Sequence, residues 1–429
     1  MNTNEKLFDF IKNCPTAYHT VKRIAEALTD AGFTRINESD EWNVAPGGKY
    51  FVTRNSSSII AFCVPEEKPE GFMIAAAHSD SPSFKIKPNF TLSDDRYVRL
   101  ATEKYGGMLM QTWFDRPLSV AGRLAVRTAD GIKTVAVDLG RPVALIPSVA
   151  PHMTRGSAGS AEPNPAVDLI PLAASGKDFS LEEEIARCAG VAKEDIISTD
   201  LFVYVPEEGI EFGSLISAPR LDDLQCAFAC TEALISATPS RAVQVSCVFD
   251  NEEVGSSTKQ GAASTFLESV LRRVSRSLGI KCGEHERLLA SSMMLSCDNA
   301  HAVHPNRPEY ADRGNDPVVN GGVVIKYNAN QRYTTDAVSA ALAELICERA
   351  GVPHQRYANR ADIPGGSTLG SISDTKVSVV TADIGLAQLA MHSAYETAGA
   401  DDTGYMIRAL KTFFSSSLAA KGDGEYALN

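Results

Sequence analysis

Seven side chains able to bind a metal or move a proton stand where a fold delivers its functional groups. His78 and Asp80 close the run GFMIAAAHSDS, and Glu252 and Glu253 follow AVQVSCVF (242–249). Asp298 follows SSMMLSC (291–297), Asp222 lies in RLDDLQ at the entry to a helix, and His392 comes after the apolar run LAQLAM. A single His or Asp in such a place is ordinarily a cap or turn residue. Several converging carboxylates repel one another at large cost unless cations neutralise them, so a bound metal cluster is the economical reading. Two imidazoles with three carboxylates form a mixed nitrogen and oxygen set. It suits zinc, accepts cobalt or manganese, and disfavours calcium. Five ligands serve two divalent ions if one carboxylate bridges them, and paired ions activate water for hydrolysis.

The neighbours of these residues divide labour. Asp80 stands two residues after His78, where it could accept the second ring N–H of a metal-bound imidazole. In Glu252-Glu253 one carboxylate can bind metal while the other acts on a bound water as general base. Either Asp222 or Asp223 could bridge on chemistry alone. His301-x-x-His304 resembles a helical metal pair, but Pro305 follows at once and the ligand set is already complete, so these histidines are expected to line the site. His19, His285 and His354 lie in polar contexts and are expected at the surface.

The elements that must carry these groups can be read from the patterns around them. Met73–Ala77 is a continuous apolar run, as in a strand buried on both faces. The same grammar of apolar run and polar end returns at 242–249, 291–297 and 377–385. Helical periodicity lies between them at Leu224–Ala237, Gly261–Leu278 and Thr335–Ala350, and a first helix is expected over 5–32, broken near Pro15. KYFVT and SSIIAFCV read as short strands that can pair. Alternating strands and helices predict an α/β/α sandwich with a largely parallel sheet, whose ligands sit beyond the carboxyl ends of the strands. The stretch from 91 to 213 reads differently, with short alternating strands (YVRLAT, GRLAVRTA, KTVAVDL) and a Pro/Gly/Ser/Ala-rich region at 147–176. It is expected to be a β-rich domain inserted into a host made of 1–90 and 214–429.

The bulk numbers bound the partners. A chain of 429 residues exceeds one simple core and suggests two domains. The formal net charge of −12 argues against nucleic acid or an anionic membrane as partner. No run approaches the roughly 20 apolar residues of a membrane span, and MNTNEKLFDF lacks the features of a signal peptide. The nine cysteines are scattered without a CxxC, as reduced thiols would be. A soluble cytoplasmic protein is expected.

Six motifs, AAAHSDSPSFKIKPN (75–89), SAPRLDDLQ (217–225), VFDNEEVGSSTKQGA (248–262), SCDNAHAVHPN (296–306), VVIKYNANQRYTTDAVS (323–339) and LAQLAMHSAYE (386–396), make the chain resemble the aspartyl aminopeptidase family of cocatalytic-zinc peptidases. They span nearly the whole sequence in family order. The resemblance implies that the inserted β-rich domain serves dimerisation. It implies that Asp222 bridges two ions, that His78 and Asp298 complete one and Glu253 and His392 the other, and that Glu252 is the general base. Asp80 would orient His78, and Asp223 would support or cap. His152, in SVAPHMTR, resembles a histidine that reaches a neighbouring subunit's active site, and Lys326 resembles a lysine that faces an acidic substrate side chain. In DIPGGSTLG, Gly365 replaces a cysteine that the family often carries, which bears on the substrate pocket rather than on the ligands.

The implied function is removal of an N-terminal Asp or Glu from peptides by a homo-oligomer, a tetrahedral dodecamer built from dimers. Two rivals are a related two-metal deacylase or broader aminopeptidase, and a catalytically weak assembly or cargo-binding protein of the same fold. The former differs in its pocket. The latter would have no need of Glu252 beside an intact ligand set.

Overall fold

A computed structural model describes residues 1–153 and 162–429. At its centre four strands run parallel, in the spatial order Val243–Phe249, Phe72–His78, Met293–Cys297 and Val380–Leu389. Their side chains explain why the sequence shows unbroken apolar runs. Phe72, Ile74 and Ala76 face one hydrophobic layer, whereas Met73, Ala75 and Ala77 face another. Successive residues of a strand point to opposite faces, so a strand covered on both sides is mostly apolar, as Phe72–Ala77 is throughout, while Gln244, Ser246, Ser296 and Asp383 are buried polar exceptions in the other three. One layer holds the helices Leu221–Ser236 and Asp402–Phe414, and the other holds Phe266–Ser277. Phe266 is fully buried there, with the Arg54 guanidinium 4.3 Å above its ring. Phe266→Ala is expected to lower unfolding free energy by about 3–5 kcal/mol. Denaturant titration checks this, and a loss under about 1 kcal/mol would show that the layer closes around the gap.

The parallel centre is flanked by antiparallel strands. Lys49–Arg54 and Ser58–Cys63 form a hairpin that pairs with Val243–Phe249. On the opposite edge Glu396–Gly399, Leu215–Ala218 and Ile210–Phe212 follow antiparallel. The N-terminal helix is broken as expected, into Thr3–Lys12 and Ala17–Asp30. Asn2 and Glu5 close a reciprocal capping box on the first piece.

Six further strands, between Ser83 and Tyr204, make a separate sheet that is antiparallel throughout. It has its own core, including Phe84, Trp113, Leu124, Ile185 and Leu201. Residues 83–93, most of which the sequence reading left with the host, hydrogen-bond into this sheet. Its first strand starts five residues beyond His78, so the chain leaves the α/β layer beside the cluster. Large apolar side chains stay uncovered here, among them Ile132, Val149, Met153 and Val167. His285 departs from expectation: it is buried, with Nδ1 2.8 Å from the Ser275 hydroxyl. Its helix, Cys282–Ala290, packs that face inward despite the polar sequence around it. All nine cysteines are free thiols. Among the described residues no helix is long and apolar enough to cross a membrane.

Candidate metal centre

The parallel register brings the polar ends together. His78 lies opposite Phe249, so the turn after that strand delivers Asp250-Asn251-Glu252-Glu253 beside it. Asn251 takes a left-handed conformation (φ 63°), which bends the chain into the short turn Glu252–Val254. Asp298 follows directly on Met293–Cys297, and its amide bonds the Ile384 carbonyl at 3.0 Å. Asp222 opens a helix but has an extended ψ of 106°, and the Asp222–Asp223 peptide is cis. His392, after Val380–Leu389, also has a left-handed backbone, with φ 66°.

Three overlapping groups of side chains result, each with candidate ligand atoms within 4.8 Å of one another: His78, Asp222 and Asp298; His78, Glu252 and Glu253; Asp222, Glu253 and His392. Asp222 belongs to two of them. One of its oxygens is 3.7 Å from His78 Nε2 and the other 3.4 Å from His392 Nε2, and Glu253 stands 3.5 Å from the latter. Donors around a tetrahedral zinc, with bonds of about 2.0–2.1 Å, stand roughly 3.3 Å apart, close to these separations.

Both imidazoles present the same nitrogen. His78 donates from Nδ1 to the Asp80 carbonyl at 3.0 Å, and His392 from Nδ1 to the Gly107 carbonyl, which leaves Nε2 of each facing the carboxylates. Sequence reasoning gave the His78 contact to the Asp80 carboxylate, but that group is the more distant acceptor, at 3.5 Å. It is occupied by the amides of Glu252 and Glu253 and by the Tyr105 hydroxyl. Asp80 thus ties the His78 strand to the glutamate turn. Asp223 accepts the His78 amide at 3.1 Å.

The electrostatics call for cations. Buried oxygens of Asp222, Asp223 and Glu253 have no hydrogen-bond partner, a rare and costly condition for a carboxylate. Burial, with Asp298 and Asp80 nearby, pushes Glu252 up to about 8. Burial likewise raises Glu253, Asp223 and Asp298. Burial alone would lower His392, yet Asp222 and Glu253 carry it up to about 10; burial would also lower His78, which Asp222 and Asp80 raise. Buried carboxylates thus outnumber the cationic side chains beside them, of which Lys326 stands 3.7 Å from Asp298. Orphaned acceptors, free Nε2 atoms and these spacings fit divalent metal ions.

The remaining predicted residues fall outside the three groups. Lys326 is buried, donates to the Asn299 carbonyl at 3.1 Å, stands 3.7 Å from Asp298 and lies over the Tyr333 ring. His152 sits exposed in the short turn Pro151–Met153. His301 and His304 are exposed, the former edge-on to Tyr357. A Cβ on Gly365 would stand 2.2 Å from the Asn359 side-chain oxygen, so a cysteine there would displace Asn359. A cavity of about 220 Å³ is lined by Asp80 and Asp222 together with Tyr18, Tyr105, Arg123 and Tyr204. Sequence reasoning missed Glu396. Its carboxylate accepts the amides of both Asp222 (3.0 Å) and His392 (2.7 Å).

Comparison with known proteins agrees with this chemistry. Residues 10–414 match the family described as Peptidase M18, aminopeptidase I zinc metalloprotease. A probable M18 family aminopeptidase 2 of Clostridium acetobutylicum is 42% identical over 424 residues, covering 96% of this chain and 98% of its own. Among solved structures, Ape4 in a complex with Nbr1 superposes with a TM-score of 0.90 at 34% identity, over 96% of this chain and 85% of that one. The mApe1 dodecamer of S. cerevisiae does so with a TM-score of 0.84 at 30% identity, over 96% and 95%. The chain therefore belongs to the M18 family of zinc aminopeptidases and is a metalloaminopeptidase.

Proposed function

We propose that the protein removes an acidic N-terminal residue, Asp or Glu, from peptides, using two divalent ions, zinc or in its place cobalt or manganese. The observation that carries the two-ion reading is Asp222, whose two oxygens face His78 on one side and His392 on the other. His78, Asp222 and Asp298 would hold one ion, and Asp222, Glu253 and His392 the other. Bound there, the pair would supply the Lewis acidity that acidifies a water and polarises the scissile carbonyl. Glu252 takes the water's proton and returns it to the leaving amine. Its carboxylate lies beside His78 and Glu253, and burial raises it above the ordinary glutamate value, in the direction that strengthens a general base. Asp80 holds the glutamate turn and the His78 ring in register.

The acidic preference is supported by Lys326, a buried ammonium next to Asp298 with donors to spare beyond the Asn299 carbonyl. A substrate carboxylate reaching it would gain a charge-assisted bond. The uncovered apolar side chains of the β-rich unit, 91–213, support a dimerisation surface there, and the dodecameric relative supports a larger assembly of such dimers. His152, exposed on that unit, would then serve a neighbouring subunit's site by steadying the developing oxyanion. The low charge balance and the absence of a spanning helix among the described residues agree with a cytoplasmic enzyme free of nucleic acid and membrane.

The test is hydrolysis of Asp-, Glu-, Leu- and Ala-peptides by zinc-loaded protein. Preferential release of Asp or Glu supports the reading. Equal rates on all four point to a broader aminopeptidase, and no release at all to a deacylase or scaffold. Lys326→Ala is expected to cut the ratio of kcat/KM for Asp- over Leu-peptides roughly 10–100-fold, the worth of one hydrogen bond to a charged group. A ratio that does not move would remove Lys326 from the specificity pocket.

A further inference from the structure

We propose that Glu396 is a positioning residue for both ion sites, one carboxylate that sets the bridging ligand and the last ligand against each other through their backbone amides. The proposal rests on the two-ion reading and goes beyond it by naming what fixes the spacing.

Glu396 is 2% exposed and reaches this place through strand pairing, opposite Ala218 at the end of Leu215–Ala218. Oε2 takes the amide of Asp222 at 3.0 Å, and Oε1 takes the amide of His392 at 2.7 Å. Both amides belong to backbone that regular structure does not hold. Asp222 is in the first turn of its helix, where N–H groups lack an intrahelical acceptor. His392 is in the left-handed region, costly for any residue with a Cβ, and such conformations persist only where the surroundings over-determine them. The side chains of the same two residues meet again in front, with Asp222 Oδ2 3.4 Å from His392 Nε2. Carboxylate, two amides and two ligand side chains thus close a ring, and shifting either amide moves a ligand.

A carboxylate is required. Two amides converge on it, each needing an oxygen. Glutamine has the same shape but offers one oxygen and turns its NH₂ against the second amide, donor against donor. Glu396→Gln therefore breaks one strut while leaving the packing volume intact. Asp402 provides a control. It is fully buried and its carboxylate likewise clamps two backbone amides, those of Asn320 and Gly322, at 2.7 and 3.0 Å, but it touches none of the ligands.

The experiment dialyses zinc-loaded full-length wild type, Glu396→Gln and Asp402→Asn against graded chelator and measures retained zinc, with Tm and kcat alongside. Glu396→Gln is expected to give up at least one zinc at roughly 10–100-fold lower chelator strength than wild type, the usual cost of losing an outer partner of a ligand. Its kcat falls more than its KM rises. Asp402→Asn is expected to lower Tm with zinc retention unchanged. Should Glu396→Gln fold poorly, Glu396→Asp keeps the charge, shortens the reach and is expected to weaken retention in the same direction. Wild-type retention in the variant overturns the proposal, as does equal loss in Asp402→Asn, since that would be general loosening. Wild type that retains fewer than two zinc ions refutes the two-ion reading itself, whatever Glu396 does.

Discussion

Glu252→Gln is expected to lower kcat roughly 10²–10⁴-fold while leaving KM and zinc content near those of wild type. The substitution keeps size and hydrogen-bonding reach but removes the capacity to take a proton. Its neighbours should stay in place, because the turn is held through backbone: the amides of Glu252 and Glu253 both donate to Asp80, at 3.1 and 3.2 Å. The side chain is also the member of the Glu pair not aimed at His392, which faces Glu253. Steady-state kinetics on an Asp-peptide with zinc analysis of the same sample checks this. A variant that keeps more than about a tenth of wild-type kcat would show that another group takes the proton. A variant that has lost zinc would make Glu252 a ligand instead.

Why the central strands and their polar ends were legible, while Glu396 was not, has a physical basis. Met73–Ala77 announces itself because a strand covered on both faces is mostly apolar until it ends, and His78 is where it ends. Asp298 after Cys297 and the glutamates after Phe249 follow the pattern less purely, since Ser296, Gln244 and Ser246 are buried within those strands. Glu396 acts through a pairing with Ala218, far away in sequence, and through backbone amides, which no side-chain motif records. An acid four residues after a histidine was the one local trace. Gly107, whose carbonyl fixes the His392 ring, left less still, since any residue has a carbonyl. The edge made by Glu396–Gly399, Leu215–Ala218 and Ile210–Phe212 was harder to read than the centre because its strands are only three or four residues long. His285 deceived because polar neighbours on a helix say nothing about the one face that turns inward.

Cations and protons compete for the same buried carboxylates and imidazoles. Burial would raise Asp222, yet the neighbouring His392 and His78 imidazoles hold it low and are themselves raised in return. Ions entering such a site must displace protons, so zinc affinity is expected to weaken as pH is lowered, more steeply than for an isolated ligand pair, which zinc retention measured after dialysis at a series of pH values checks.

Asp222→Ala is expected to empty both ion sites at once, whereas His392→Ala is expected to empty one. The bridging position makes the difference. Each of the two groups built on Asp222 loses a third of its donors when the aspartate goes, and the surviving oxygens of Glu253 and Asp298 then face no shared cation. Removing His392 leaves His78, Asp222 and Asp298 complete. Truncating one partner among buried charges costs roughly 3–5 kcal/mol, about 10²–10³-fold or more in affinity, enough to strip zinc during ordinary purification. Hydrolysis should vanish in both variants if the reaction needs the pair. Zinc counted per chain by atomic absorption, on folded protein verified by circular dichroism, separates the cases. An Asp222→Ala protein that keeps one ion with full occupancy would mean that the aspartate serves a single site. His78 and Glu253 would then have to carry the second by another route, with Asp223, one oxygen of which has no partner while the other accepts the His78 amide at 3.1 Å, as the next carboxylate in line.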